Sequence, residues 1–560
     1  MLSRIACCSI LAISLAAQQR PAQPSSADEN QFQISGIVLD SVTGQPVHQA
    51  RVAIAPVTKR DATTTIITGE DGQFAFPNLG PGKYTLSAQK RGYLTQAFNQ
   101  HDQFSSSIVV GPSLDSSNLQ FRLAPESSIS GVVSDEAGEP VREAQVLLYQ
   151  GGTTGGEQGT HVRTRGTTDE EGLYHFGHLP PGKYFVAVTS TVWYAQRPMP
   201  QGQVYSTFHS GGYGRSWADP GTYPEEQGES PLDVAYPITF YPGVTEASGA
   251  TPIAIKSGDR FVADIRLLPV HALRVRIAAD DATESGAKTR FLQLQSNLFD
   301  GSPVQVSAET RILASGEMEI VGVPPGHYQV EMFQGRGDSN SGSTAGEMDA
   351  LTSGEVSLAR GTSAVGVTAT VHVDPGTAVP LQGYLQLYNS KTRESASEQV
   401  SGAGEIEFKK NIRPGAYEVA LSNSNGEFIK SVSATGASLN GRVLQIKGAG
   451  PVKLAVTIAR GEGEVSGVAL RDGKPVGGVM IVLAPTDAAH NRLLFRRDQS
   501  DSDGTFTLRG VVPGKYTLLA LENGWELEWS NPAVLKPYLA GGEALAVQQN
   551  GKYEVKAKVQ

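Results

Sequence analysis

At 560 residues the chain is too long for a single hydrophobic core, so several domains are required. Its 46 Lys and Arg against 56 Asp and Glu leave a formal net charge of −10, with no basic run to offset it, which argues against a nucleic-acid partner. With 63 Gly, 32 Pro and no long amphipathic helical run, the composition excludes helical bundles and βαβ folds and fits short strands joined by turns.

Arg4 precedes an apolar run from Ile5 to Ala17 that ends in small residues. Residues 1–17 therefore read as a secretory signal peptide, too short for a lasting membrane span. Cys7 and Cys8, the only cysteines, fall inside it, so the mature domains must hold together without disulfides. No later apolar run is long enough to cross a bilayer. The expectation is a mature chain with no transmembrane segment, secreted, periplasmic or at the cell surface. Residues 18–31 read as a disordered linker.

From Asp71 the chain reads DGQFAFPNLGPGKYTL. Asp71-Gly72 is a turn pair, and Phe74 and Phe76 alternate onto one face of a strand. Pro81-Gly82 suits a type II turn, after which Tyr84 and Leu86 share a face. The phrase is expected to be a β-hairpin with one buried side. It returns as EGLYHFGHLPPGKYFV from Glu171 and DGTFTLRGVVPGKYTL from Asp503, with worn copies from Ser315 and Ala403. The second residue after the Pro-Gly corner is tyrosine each time, at Tyr84, Tyr184, Tyr328, Tyr417 and Tyr516. Upstream of three copies stand ISGIVLDSVTGQPV, ISGVVSDEAGEPV and VSGVALRDGKPV, each a strand, a polar turn and a Pro-Val entry. Repetition at this length means an array.

The expected fold is all-β, a tandem array of about five transthyretin-like or Ig-like β-sandwich domains. Their expected bounds are 32–125, 126–270 with an aromatic-rich insertion at 189–245, 271–372, 373–462 and 463–560, the third and fourth degenerate. The stretch from SGIVLD to QKRGY resembles the carboxypeptidase regulatory-like domain, a transthyretin-like (prealbumin-like) sandwich; residues 128–188 and 464–521 resemble it too. The resemblance implies an extracytoplasmic accessory module and does not imply peptidase activity.

No H-x-x-E or H-E-x-x-H zinc pattern, nucleophile elbow, P-loop or dinucleotide fingerprint is found, so no enzyme activity, cofactor or metal is expected. His175 and His178 are odd-spaced on a strand and its turn and read as surface residues. The run Asp501–Gly504 lacks the remaining ligands of a calcium loop and reads as turn chemistry. Arg336-Gly337-Asp338, an integrin-type tripeptide, sits in a Gly/Ser-rich stretch expected to be an exposed loop. Trp525, Leu527 and Trp529 share one face of an expected strand and are assigned to core or interdomain packing.

The insertion is dense in aromatics set among Gly, Ser and Pro. Trp193, Tyr194, Tyr205, Phe208, Tyr213, Trp217 and Tyr223 are the candidate surface for carbohydrate, because flat rings stack on sugar C–H faces while polar neighbours bond hydroxyls. The competing reading is that the insertion folds over its own sandwich. The preferred function is a non-catalytic scaffold or adhesion module with polysaccharide, cell-surface or protein partners. Carbohydrate binding by the insertion is the alternative, and an unrecognised enzyme the second.

Overall fold

The computed structural model describes residues 32–197, 206–209, 230–277, 289–299, 302–306, 308–312, 318–336, 339–350, 354–356, 365–377, 379–392, 394–409, 412–448 and 450–560. The expected signal peptide and linker lie outside these residues. Strands dominate, and among the described residues there is one α-helix, Pro532–Leu539. The protein is all-β and multi-domain.

One two-sheet topology recurs five times. In the first sheet, the opening strand lies between an antiparallel neighbour and a closing parallel strand. The opening strands are Phe32–Asp40, Ser127–Ser134, Leu273–Ile277, Val367–Val373 and Gly463–Arg471. The second sheet centres on the antiparallel pair Arg51–Pro56 with Gly82–Gln89. Its counterparts are Gln145–Thr154 with Gly182–Thr189, Thr289–Leu298 with Gly326–Arg336, Tyr384–Tyr388 with Gly415–Ser422, and Met480–Pro485 with Gly514–Leu521.

This pairing corrects the expected hairpin. Gln73–Leu79 pairs with the opening strand, whereas Gly82–Gln89 pairs with Arg51–Pro56, so the Pro-Gly corner carries the chain from one sheet to the other. The physical reason is burial on facing surfaces. Phe74 and Phe76 enter the core from one sheet and Leu86 from the opposite one, which a single hairpin would not permit. The recurrent tyrosine braces the corner. Its hydroxyl donates to the carbonyl four residues earlier: Tyr84 to Gly80 at 3.0 Å, Tyr184 to Pro180 at 2.7 Å, Tyr328 to Pro324 at 2.6 Å and Tyr516 to Val512 at 2.6 Å.

The Ser-Gly pair of the opening strand also has a structural cause. A Cβ on Gly36, Gly131 or Gly467 would lie 2.1, 2.3 or 2.1 Å from the carbonyl oxygen of Leu119, Ala263 or Val555 on the closing segment. Each of these glycines is paired across the sheet with an aromatic residue: Phe74, Tyr174 or Phe506. In the fourth repeat the equivalent position is Ala369, and its partner is Ile406. Glycine admits the parallel backbone and the ring fills the space that it leaves.

The first, fourth and fifth sandwiches enclose cores of their own. The second has one inner core, around Ile129, Leu148, Phe176 and Val186, and contributes its outer face to another. There Leu147, Tyr149 and Phe240 pack with Val275, Ile320 and Val330 of the third, and the Phe299 ring stands 4.9 Å from Tyr149 and 5.0 Å from Phe185. The outer face of the fifth is likewise covered, Met480, Val482 and Leu519 packing under Leu535 of the helix. The second and third sandwiches are thus fused through an apolar seam rather than strung as independent beads.

Candidate functional site

The aromatic insertion begins beside a carboxylate. Trp193 is 84% exposed, and its ring meets Tyr194 edge-on at 5.5 Å with planes 89° apart. Tyr194 is held from behind, its hydroxyl donating to Glu136, which also accepts from Tyr236 at 3.0 Å. Burial opposes ionisation of Glu136, but the two phenols overcome it and hold the carboxyl below its ordinary range. The bond to Glu136 pushes the Tyr194 hydroxyl up to about 12. These two rings form a step rather than a flat platform.

Phe208 lies on Ser206–His209, a strand that pairs with Glu309–Ile312 of the third repeat. Tyr205, Tyr213, Trp217 and Tyr223 lie outside the described residues. Elsewhere in the insertion Tyr236 and Phe240 are buried, and Tyr241 packs edge-on against Phe261 at 5.8 Å. Arg197 and Arg274 converge on buried Asp233 at 3.1 and 3.2 Å, joining the insertion to the third repeat. The described parts of the insertion therefore serve chiefly to couple two sandwiches.

The fifth sandwich returns to the first. Lys83 Nζ contacts Asp501 Oδ2 at 2.5 Å, while Asp501 Oδ1 accepts from the Ser107 N–H at 2.8 Å. Ser106 donates to the Ser500 carbonyl at 2.8 Å, and the Gln499 amide donates to Ser106 Oγ at 2.9 Å. Arg497, with its side chain only 10% exposed, lies 4.6 Å from the centroid of Phe104 and 4.8 Å from that of Trp529, and pairs with Asp102 at 3.1 Å. The acidic turn that resembled a fragment of a calcium loop thus supplies an interdomain latch.

The fifth sandwich also touches the second and fourth. Ser530 donates to the Gly156 carbonyl at 2.9 Å and Thr153 to the Glu526 carbonyl at 2.9 Å. Glu418 Oε1 accepts from the Leu493 N–H at 2.7 Å, beside an apolar seam of Phe428, Ala459 and Val512. Burial pushes the Glu418 carboxyl up to about 7, against the opposing pull of the Leu493 N–H and Arg442.

Where the first, second and fifth sandwiches meet, they leave an open cleft of about 1570 Å³. Arg51, Lys90 and Arg91 reach it from the first, Arg163 and Lys183 from the second, and Trp525 and Glu526 from the fifth. Its acids are Asp102, Glu126 and Glu526, of which Asp102 is taken by Arg497 and Glu126 by His178.

Two sequence expectations need correction. Residues 525–529 form no strand: Gly524–Glu526 is a 3-10 turn, from which the Trp525 ring reaches His101 of the first sandwich. The assignment of Trp525 to interdomain packing agrees with that contact. The Gly/Ser-rich stretch after Arg336 is no loop either, because Ser339–Ala350 pairs along Gly326–Arg336 and Arg336 faces Ser339 in register. Gly337 and Asp338 lie outside the described residues. His175 is exposed.

Residues 33–124 and 128–207 match the family model described as the carboxypeptidase regulatory-like domain. The first two sandwiches are therefore domains of that kind. No curated protein sequence matches the chain. Among solved structures, the chain is similar to the TIE protein of Bacillus anthracis at 11% identity and a TM-score of 0.14, covering 95% of this chain and 68% of that one. A Streptococcal ancillary pilin gives 14% identity and a TM-score of 0.18 over 52% of this chain and 99% of the pilin. A minor pilin of Streptococcus agalactiae, GBS52, gives 12% and 0.19 over 42% and 96%.

Proposed function

We propose that the protein is an exported, non-catalytic scaffold, a closed set of β-sandwiches that acts as an adhesion or interaction module outside the cytoplasm. The observation that carries this reading is the return of the fifth sandwich onto the first. Lys83, Ser106, Ser107 and Asp102 on one side are committed to Asp501, Ser500, Gln499 and Arg497 on the other. Chemistry-bearing side chains spent on holding domains in a fixed arrangement serve presentation of a surface rather than turnover. The proposed bounds are 32–125, 126–270, 271–372, 373–462 and 463–560, following signal and linker segments.

The test compares beads carrying the full chain with beads carrying a Lys83→Ala, Asp501→Ala double variant on the surface of the exporting cell. Loss of retention, with unchanged far-ultraviolet circular dichroism, is the expected outcome. Equal retention by the opened variant refutes the reading. A second reading, carbohydrate binding by the insertion, draws on the exposure of Trp193. It predicts that Trp193→Ala abolishes retardation of the chain in gels containing neutral glycans.

A further inference from the structure

The cleft between the first, second and fifth sandwiches carries charge opposite to that of the whole protein. The chain bears a formal net charge of −10, yet five Lys and Arg line the cleft against three acids. One of those acids, Asp102, is ion-paired with Arg497, and Glu126 contacts the His178 imidazole. Lys90 is held by the His48 carbonyl at 2.8 Å. The side chains of Arg51, Arg91, Arg163 and Lys183 make no hydrogen bond or ion pair among the described residues, and all four residues are exposed. Unpaired like charges gathered from two domains repel one another, and an anionic occupant relieves that repulsion.

Shape and the remaining lining narrow the occupant. At about 1570 Å³ and open to solvent, the space exceeds the few hundred to roughly 1,000 Å³ usual for a small-molecule pocket, and it suits a segment of a polymer. Gln49, Gln89, Gln150 and Gln158 also line the cleft, and their amides both donate and accept. A lining that holds both cations and amides matches a chain that carries both carboxylates and hydroxyls. Tyr93 and Trp525 line the cleft too, Lys90 lying over the first ring and His101 stacking on the second. A nucleic acid would call for a ladder of stacking rings and a basic domain, and an acidic peptide for apolar niches between the cations.

We propose that this cleft binds an acidic polysaccharide, its uronate carboxylates on Arg51, Arg91, Arg163 and Lys183 and its hydroxyls on the glutamines. The site is separate from the aromatic insertion and goes beyond the scaffold reading, since a scaffold needs no such cleft.

Affinity electrophoresis of the full chain in polygalacturonate tests it, with dextran, poly-glutamate and single-stranded DNA as the other arms. Retardation by polygalacturonate that weakens as salt rises is expected, together with about ten-fold weaker binding by an Arg91→Ala, Arg163→Ala double variant. Both positions are exposed and unpaired, so the fold should survive; unchanged thermal unfolding of the variant checks this. Arg509→Ala, an exposed arginine away from the cleft, should bind as the parent does. No retardation, equal retardation by dextran, tighter binding of poly-glutamate or DNA, or full binding by the double variant overturns the proposal. Loss of cell-surface retention on opening the Lys83–Asp501 latch tests the scaffold reading separately.

Discussion

His101 of the first sandwich and Trp525 of the fifth stack face to face, their centroids 4.4 Å apart and their planes 5° from parallel. The contact joins two domains separated by three others in sequence. It lies next to Arg497, whose guanidinium is 5.7 Å from the Trp525 centroid as well as close to Phe104 and Trp529. Burial lowers the Arg497 pKa against the pull of Asp102. The arginine therefore depends on its rings and its single carboxylate to compensate for lost water.

Replacing Arg497 by alanine should cost roughly 2–4 kcal/mol of interface stability. Lysine should not restore it, since a compact ammonium cannot spread over three rings. Small-angle scattering should then show a larger radius of gyration, with the fifth sandwich released while the strand signal in circular dichroism persists.

The buried Glu418 at the fourth–fifth seam predicts a pH dependence. Its folded pKa, about 7, stands above the ordinary 4.5, so the folded chain holds the proton more tightly than the unfolded one. The stability this contributes is present at acid pH and is lost as pH rises between those two values. Glu418→Gln keeps an acceptor for the Leu493 N–H and removes the titration. The thermal midpoint of the variant should exceed that of the parent at pH 8 and vary less between pH 5 and pH 8.

Gly131→Ala should destabilise the second sandwich by roughly 2–4 kcal/mol, because the new methyl would meet the Ala263 carbonyl at 2.3 Å and the Tyr174 ring at 3.1 Å. Gly138→Ala tests whether clash matters beyond the loss of a glycine, since nothing lies within 4 Å of its Cβ although its φ is +87°. Chemical denaturation should rank Gly131→Ala as the more damaging.

The corner tyrosines should divide by burial. Tyr516→Phe leaves the Val512 carbonyl without its 2.6 Å donor in the core and should cost about 1–2 kcal/mol. Tyr84→Phe loses a 3.0 Å bond at an exposed corner where water can replace the hydroxyl, and should cost less than about 0.5 kcal/mol. Urea unfolding of the two variants provides the comparison.

Much of the architecture was legible because its causes are local. Alternating Phe74 and Phe76, the Asp-Gly turn and the Pro-Gly corner act within a few residues, and they mark all-β construction and a fivefold repeat. Even the two-sided burial had a sequence signal. RVAIAP alternates, whereas VLLY in the second repeat and MIVLAP in the fifth are continuous apolar runs, as strands covered on both faces are. What covers them was not legible. The third sandwich lies over one and the helix Pro532–Leu539 over the other, and an eight-residue helix with an internal Pro537 gives little periodic signal. The cleft had none, since Arg51, Arg91, Arg163 and Lys183 stand far apart in an acidic chain.

By itself the sequence determined the unit: two sheets closed by alternating apolar residues, opening-strand glycines and corner tyrosines, all set by contacts short in sequence or repeated in several copies. Only the tertiary structure decided which strands share a sheet across the Pro-Gly corner, that the second and third units fuse, and that the fifth closes on the first. The closure of the fifth on the first rests on single pairings such as Lys83 with Asp501 and His101 with Trp525. Each is one contact between residues hundreds of positions apart, and a contact made once leaves no period in the chain to read.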